Sequence, residues 1–353
     1  IFGVPVPGPT ASLLVPGVGC VNGCNFCATT HFFGKRYTPF LSTGRELFDT
    51  ACRVADERGT DSFFIMDENF LKDRERALEL IAEMERHERY FTFHVFSSAE
   101  TLVAFGVENL VRLGVDFVWV GLESASAQGT YAKNEGIDAR ALVRELRDHG
   151  ISVLASGILC MEHHTPDNMQ RDVDFLVDLE ADFVQFMLYT PMPVTALYRD
   201  LEARGLLRDD LPLEEWHGQK YLVWRHPAFS GDEPERWLRR AFGQDFETNS
   251  SSMYRVAETC LRGARTLEAL PERDSCLDAR LEQTRARARE YGSMLPGLAR
   301  HAATALERRR ARALDAEIAA ALGPPGLRSR VERALATALM GAWKLRVRLL
   351  GDR

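Results

Sequence analysis

The chain has 353 residues, 45% of them hydrophobic and 27% charged, with a net charge of −7; these proportions describe an ordinary globular protein of one large domain plus an appendage, or of two domains. No run of 18 apolar residues occurs, which excludes a spanning helix within these residues. Residues 300–353 carry 12 Lys/Arg against 5 Asp/Glu, leaving a net charge of −14 on the remainder, so the body has no electrostatic footprint for nucleic acid.

Taken in order, apolar runs of strand length alternate with stretches of helical period. Candidate strands are Ala11–Gly17, Asp61–Asp67, Phe91–Ser97, Val115–Gly121, Ile151–Leu159 and Asp182–Leu188. Helices are expected near 43–58, 72–88, 99–113, 138–149, 166–180 and 195–204. Thr43 stands three residues before Glu46 as in a capping box, and Gly59, Gly114 and Gly150 fall where helices should stop. Strand–helix repetition of this kind predicts parallel strands joined by right-handed crossovers. Six such units are too few for a closed eight-stranded barrel.

The first strand runs into Cys20-Val21-Asn22-Gly23-Cys24-Asn25-Phe26-Cys27. This C-x3-C-x2-C spacing brings three thiolates to one side of a short loop, with Asn22-Gly23 suited to a left-handed turn. Three thiolates can hold three irons of a four-iron cluster and leave the fourth iron open. With His31 they could also form a closed Cys3His zinc site, and the loop alone leaves that alternative standing. The other cysteines are scattered at 52, 160, 260 and 276, which is no disulfide framework and fits a reducing cytoplasm. The remaining strand ends are polar: Asp67-Glu68-Asn69, Ser97-Ser98, Gly121-Leu122-Glu123-Ser124, Cys160-Met161-Glu162-His163-His164 and Thr190-Pro191-Met192-Pro193. In parallel β/α folds such ends share one rim, where chemistry gathers.

The cysteine spacing, with Phe26 before the last Cys, resembles the radical SAM enzymes. Asp67-Glu68-Asn69-Phe70 and Gly121-Leu122-Glu123-Ser124 are similar to motifs of the branch that usually carries an N-terminal cobalamin-binding domain. The resemblance covers roughly residues 10–230 and implies an open (β/α)6 barrel. It implies a 4Fe-4S cluster on Cys20, Cys24 and Cys27, whose open iron chelates the amino and carboxylate groups of S-adenosylmethionine (SAM). Asp67, Glu68 and Asn69 would then approach the methionine end. Glu123 and Ser124 would approach the ribose or amino end, and the backbone near Gly157 would border the adenine. The implied activity is reductive SAM cleavage that starts radical chemistry on a small-molecule or lipid substrate, with cobalamin-dependent C-methylation as one outcome and cyclisation or rearrangement as another. An electron donor such as flavodoxin or ferredoxin is implied as partner. Two departures stand out: Pro16-Gly17-Val18-Gly19 replaces the family's Ser/Thr-Arg-Gly, and Pro193-Val194-Thr195 replaces its Pro-Gly-Thr.

The expected division is a core barrel at 1–204, an irregular cover at 205–232 and a mainly helical C-terminal region at 233–353. The helical ending differs from the small β-barrel RNA-binding module of methylthiotransferases. Helix breaks are expected near Asn249-Ser250, Leu270-Pro271, Leu295-Pro296 and 323–326. From Arg328 to Leu350 one helical face gathers Val331, Leu335, Leu339, Ala342 and Leu349, the opposite face Arg330, Arg333, Lys344 and Arg348. That apolar face is read as a packing surface ahead of a peripheral membrane contact. His163 and His164 read as a hydrogen-bonded loop pair ahead of a second metal site, and Phe33 reads as core. The sequence opens at Ile1 and reaches its first strand within about ten residues, so an upstream cobalamin domain is expected, with Glu162, His163 and Tyr189 facing the corrin.

Overall fold

The computed structural model describes residues 11–68, 70–125, 134 and 136–351, which form two compact units. The larger unit holds Thr10–Leu146 and Val153–Asn249, the smaller Arg147–Ser152 with Ser250–Arg353.

The larger unit begins with β1 (Ser12–Leu14), β2 (Gly17–Val18), α1 (Ala28–Phe32) and β3 (Thr38–Pro39). Then come α2 (Gly44–Arg58), β4 (Ser62–Ile65), α3 (Arg74–Arg86), β5 (Thr92–Ser97), α4 (Ala99–Phe105), α5 (Val107–Leu113) and β6 (Val115–Glu123). α6 (Ala139–Asp148), β7 (Ser152–Leu159), α7 (Met169–Val177), β8 (Phe183–Leu188), α8 (Ala196–Ala203) and α9 (Glu233–Asn249) follow. Six strands make one sheet in the order β1-β4-β5-β6-β7-β8, each beside its successor in the chain. The register is parallel between β1 and β4, β4 and β5, β5 and β6, and β7 and β8. This is the predicted partial (β/α)6 arrangement. β2 and β3 form a separate antiparallel ribbon.

Local signals do what their chemistry predicts. Thr43 and Glu46 complete the capping box of α2, and Gly59 ends that helix in the left-handed region at φ 67°. Gly114 (φ 88°) and Gly150 (φ 80°) act likewise. The helix expected over 99–113 is two helices, because Gly106 at φ 85°, ψ 143° ends one and opens the next. Strand alternation sorts the side chains into two layers. Phe63, Ile65, Phe93, Val95, Val118, Val120, Val153, Ala155 and Phe186 have no exposed surface. Phe64, His94, Phe96, Phe117, Trp119, Ser156, Gln185 and Met187 alternate with them and stay half-buried. α9 belongs to this unit, with Phe242 edge-on to Phe186 of β8 at 5.2 Å. The segment after α8 joins the sheet as well: Leu188 donates its N–H to Gly218 O at 2.7 Å, and Trp224 donates its indole N–H to Tyr189 O at 2.9 Å.

The smaller unit contains α10 (Ser252–Glu268), α11 (Ser275–Gly292), α12 (Leu295–His301), α13 (Ala305–Leu322) and α14 (Leu327–Leu350). Helices break near Asn249-Ser250, Leu270-Pro271 and 323–326 as expected, but Leu295-Pro296 opens α12 instead of breaking a helix, and a further break falls at 302–304. Its core is Ala257, Leu261, Leu295, Ala299, Ala311, Leu314 and Ile318. Residues 147–152 join it through Arg147, which reaches Thr259 at 2.9 Å and Glu258 at 3.0 Å. Gly263 lies so close to Gly150 that a Cβ on it would stand 2.3 Å from the Gly150 Cα. No described helix is long and apolar enough to cross a membrane.

Candidate active site

The three-cysteine loop spans the gap from the ribbon strand β2 to α1. Gly19 and Gly23 take φ 96° and 78°, and a Cβ at Gly19 would meet the Arg36 carbonyl oxygen at 2.1 Å. Only glycine fits there. Cys27 is the N-cap residue of α1, its N–H bonds Cys24 O at 3.2 Å, and Thr30 Oγ1 donates to Cys20 O at 3.3 Å. Cys20 is buried, Cys24 and Cys27 are half-buried, and none of the three is in a disulfide. The loop touches the rim at both sides. Thr29 Oγ1 donates to Glu68 beyond β4 at 3.2 Å. Asn25 Nδ2 donates to the Tyr189 hydroxyl beyond β8 at 3.1 Å, and Phe26 lies edge-on to the Tyr189 ring. His31, one turn past Cys27, keeps a buried Nε2 without a hydrogen-bond partner. Three thiols in one glycine-shaped loop fit a cluster that takes three protein ligands. Phe33 is half-buried and Phe32 is exposed.

At the end of β4 the two described acidic residues differ. Asp67 has no exposed surface; its Oδ2 accepts from Arg76 at 3.0 Å and from the Tyr37 hydroxyl at 2.6 Å. Arg76, also fully buried, donates to that hydroxyl at 2.9 Å and to Leu41 O at 3.1 Å. Burial first, and the Asp67 carboxylate second, push the Tyr37 pKa well up, so it stays a donor. This triad fastens the stretch after the cysteine loop to the strand end. Glu68 is exposed on the rim side. Asn69 lies outside the described residues.

The ends of β6 and β7 are adjacent, and each holds a non-glycine residue in the left-handed region: Glu123 at φ 62° and Cys160 at φ 57°. Such residues cost of order 1–3 kcal/mol and persist where the surroundings over-determine them. Here a buried polar chain does so. Ser124, with no exposed surface, hydrogen-bonds Asp172. Asp172 accepts from His164 Nε2 at 2.6 Å, and His164 Nδ1 accepts the Met161 N–H at 2.9 Å. The Nδ1 acceptor role fixes the proton on Nε2. Burial works to raise the Asp172 pKa, but hydrogen bonds from His164 and Ser124 outweigh it and hold the carboxyl below its ordinary range. His226 secures the same loop: its Nδ1 accepts from Ala228 N–H at 3.0 Å and its Nε2 donates to Met161 O at 3.0 Å. Burial lowers the pKa of His226, and also that of His163, which is further lowered by the His164 ring 4.3 Å away. Ligand atoms of His163, His164 and Asp172 converge within 4.8 Å of one another, but both His164 nitrogens are occupied.

The structure places Cys20, Cys24, Cys27 and Glu68 on the rim and Glu123 at the end of β6, while Ser124 is fully buried and bonded to Asp172. Asp67 is committed to Arg76 and Tyr37. Gly157 is buried in β7, and a Cβ there would stand 2.0 Å from Leu176 Cδ1, so the space its missing side chain leaves is filled by Leu176 of α7. Glu162 is paired with Arg204 at 2.6 Å, and Tyr189 is tied to Asn25. Sequence reasoning missed His226 and the half-buried wall on the opposite sheet face. In that wall Phe96 meets Phe64 at 5.3 Å and Trp119 at 5.2 Å. Strand parity at Phe64, Phe96, Trp119 and Ser156 was the available signal.

A parallel partial barrel with a cysteine loop joining both sides of its rim defines a class of α/β protein with chemistry at the strand ends. Residues 14–176 match the Radical SAM superfamily. It is 23% identical over 231 residues to an uncharacterized methyltransferase of Pyrococcus horikoshii, covering 64% of this chain and 49% of that protein. It is also 23% identical to the hopanoid C-2 methylase of Rhodopseudomonas palustris, covering 63% and 45%. The cytidylyl-2-hydroxyethylphosphonate methyltransferase of Streptomyces wedmorensis is 22% identical, covering 70% and 48%. The chain thus spans about half the length of these curated relatives. Among solved structures, the radical S-adenosylmethionine methyltransferase TsrM from Kitasatospora setae, with cobalamin and a [4Fe-4S] cluster bound, has the same fold at TM-score 0.56 and 17% identity. That match covers 79% of this chain and 61% of TsrM.

Proposed function

We propose that this chain is the radical SAM portion of a cobalamin-dependent methyltransferase acting on an unactivated carbon of a small-molecule or lipid substrate. The observation that carries the reading is the loop of Cys20, Cys24 and Cys27 laid between the β4 and β8 ends of a six-stranded parallel rim. The three thiolates would hold a 4Fe-4S cluster with one iron open. When bound, the cluster supplies the electron that cleaves SAM to methionine and a 5′-deoxyadenosyl radical. Glu123 is the residue assigned to the ribose or amino end of SAM, and Glu68 to its methionine end. A carboxylate there accepts charge-assisted hydrogen bonds from an ammonium or a diol. The aromatic wall of Phe64, Phe96 and Trp119 would exclude water from the interior.

The names of the relatives favour methyl transfer over cyclisation. Cobalamin would be held by a domain outside this sequence, and a small electron-transfer protein of the flavodoxin or ferredoxin kind would deliver the electron in a reducing cytoplasm. The test is anaerobic reconstitution with iron and sulfide, then reduction in the presence of SAM. Iron content and 5′-deoxyadenosine formation should both vanish in Cys20→Ala, Cys24→Ala and Cys27→Ala and survive in His31→Ala. Full iron loading and cleavage by Cys24→Ala would sink the reading, and stoichiometric zinc lost on His31→Ala would replace it with the Cys3His site.

A further inference from the structure

The last helix carries its apolar stripe on the outside. Val331, Leu335, Ala338, Ala342, Leu345 and Leu349 recur at alternating steps of four and three, which places them on one face. Val331, Leu335, Leu345 and Leu349 are 52%, 58%, 57% and 72% exposed, and Leu327 and Leu350 at the two ends are 81% and 70% exposed. The face that packs is the opposite one. Arg333 pairs with Asp315 at 2.6 Å, Lys344 Nζ donates to His301 O at 3.0 Å, and Gly297 of α12 approaches Thr337 and Met340. The packing surface expected from the sequence is therefore solvent-facing, because the short side chains of Thr337 and Gly341 allow α12 a closer approach than a leucine stripe does.

Charge decides what this stripe fits. The helix holds six cations and one acid, Glu332, which is already paired with Arg328 at 2.9 Å. By helical spacing Arg328 and Arg346 border the stripe on one side, Arg330 and Arg348 on the other. Ala334 and Ala338 also line an open groove of about 740 Å³ with Arg300 and Arg333. Arg300, Arg308 and Arg312 line the neighbouring hollow, and among the described residues these three guanidiniums have no ion-pair partner. A second copy packed on the stripe would bring Arg346 and Arg348 against their like. An anionic bilayer offers acyl chain to the leucines and phosphate to the arginines.

We propose that α14 seats the protein on an anionic lipid surface, with the leucine stripe in the acyl boundary and Arg300, Arg308 and Arg312 at the headgroups. The test is co-sedimentation of the full chain with vesicles of phosphatidylcholine alone or of phosphatidylcholine mixed equally with phosphatidylglycerol. Binding is expected to the mixed vesicles only and to weaken with salt. Leu335→Glu with Leu345→Glu should reduce it by about tenfold or more, and Arg346→Glu with Arg348→Glu should abolish the preference for anionic lipid. These side chains are exposed, so circular dichroism of the variants should match the parent. Failure to bind mixed vesicles, equal binding to both kinds, or unchanged binding by the leucine variant overturns the proposal. So does a concentration-dependent dimer, seen by analytical ultracentrifugation without vesicle binding and lost in the leucine variant, which would assign the stripe to a second copy.

Discussion

Two loops on one rim carry cysteine and histidine, and the fold treats them oppositely. After β2, two left-handed glycines shape a loop in which Cys24 and Cys27 remain half-buried, and the His31 ring keeps a buried nitrogen without a partner. After β7, Cys160 has no exposed surface; burial first, with Glu235 and Glu233 adding, pushes its thiol far up, so it stays protonated. His164 and His226 there spend their ring nitrogens on the backbone of Met161, on Ala228 N–H and on Asp172. Residue type alone therefore does not make a ligand site. Access to the donor atoms matters as well.

The contrast can be broken at its largest point by removing one thiol from each loop. Cys24→Ala should eliminate iron loading altogether. Cys160→Ala should leave it unchanged and lower stability by only about 1 kcal/mol, read from denaturant midpoints and iron analysis on the same preparations. Loss of iron in Cys160→Ala would erase the distinction between the loops.

Next in size is Arg76→Ala. It strands the buried Asp67 carboxylate, which typically costs about 3–5 kcal/mol. The unfolding midpoint should fall accordingly, and a change within error would show that the Asp67–Arg76–Tyr37 triad does not hold the strand end. Glu123→Ala should keep the cluster but weaken SAM binding more than tenfold, since a hydrogen bond to a charged group contributes about 1.5–3 kcal/mol. Equilibrium dialysis with SAM measures this; unchanged affinity would move the SAM site away from β6.

The smallest effect is on pH. Folding lowers the His226 pKa below the ordinary 6.5, so the unfolded chain takes up the proton first. The stability contributed by neutral His226 is full above 6.5 and declines as pH falls below it. The depressed Asp172 pKa adds its own contribution above 3.8, lost only at more acid pH. Thermal midpoints should drop from about pH 7.5 to about 5.5, and His226→Gln should flatten that slope. An identical slope in the variant would remove His226 as its source.

Much of the molecule is written locally. The existence of six strands, the caps at Thr43, Gly59 and Gly114, and the order of parallel neighbours follow from period, capping chemistry and the handedness of crossovers, all of which act within one strand–helix unit. The first strand, expected over Ala11–Gly17, is only Ser12–Leu14 because Gly17 pairs in the β2–β3 ribbon. The three cysteines were legible for the same reason, since their spacing is itself the geometry. What sequence could not apportion were choices among chemically equal residues. Asp67 and Glu68 are neighbours of one charge, yet one is buried against Arg76 and the other faces the rim. His226 gave no signal because its partner, Met161, is 65 residues away. The tail's periodicity fixed which residues share a face, but the close approach of α12 at Gly297 decided which face turned inward. Short-range backbone physics sets the elements. Burial and hydrogen-bond competition between distant segments set which of their side chains stay available for chemistry.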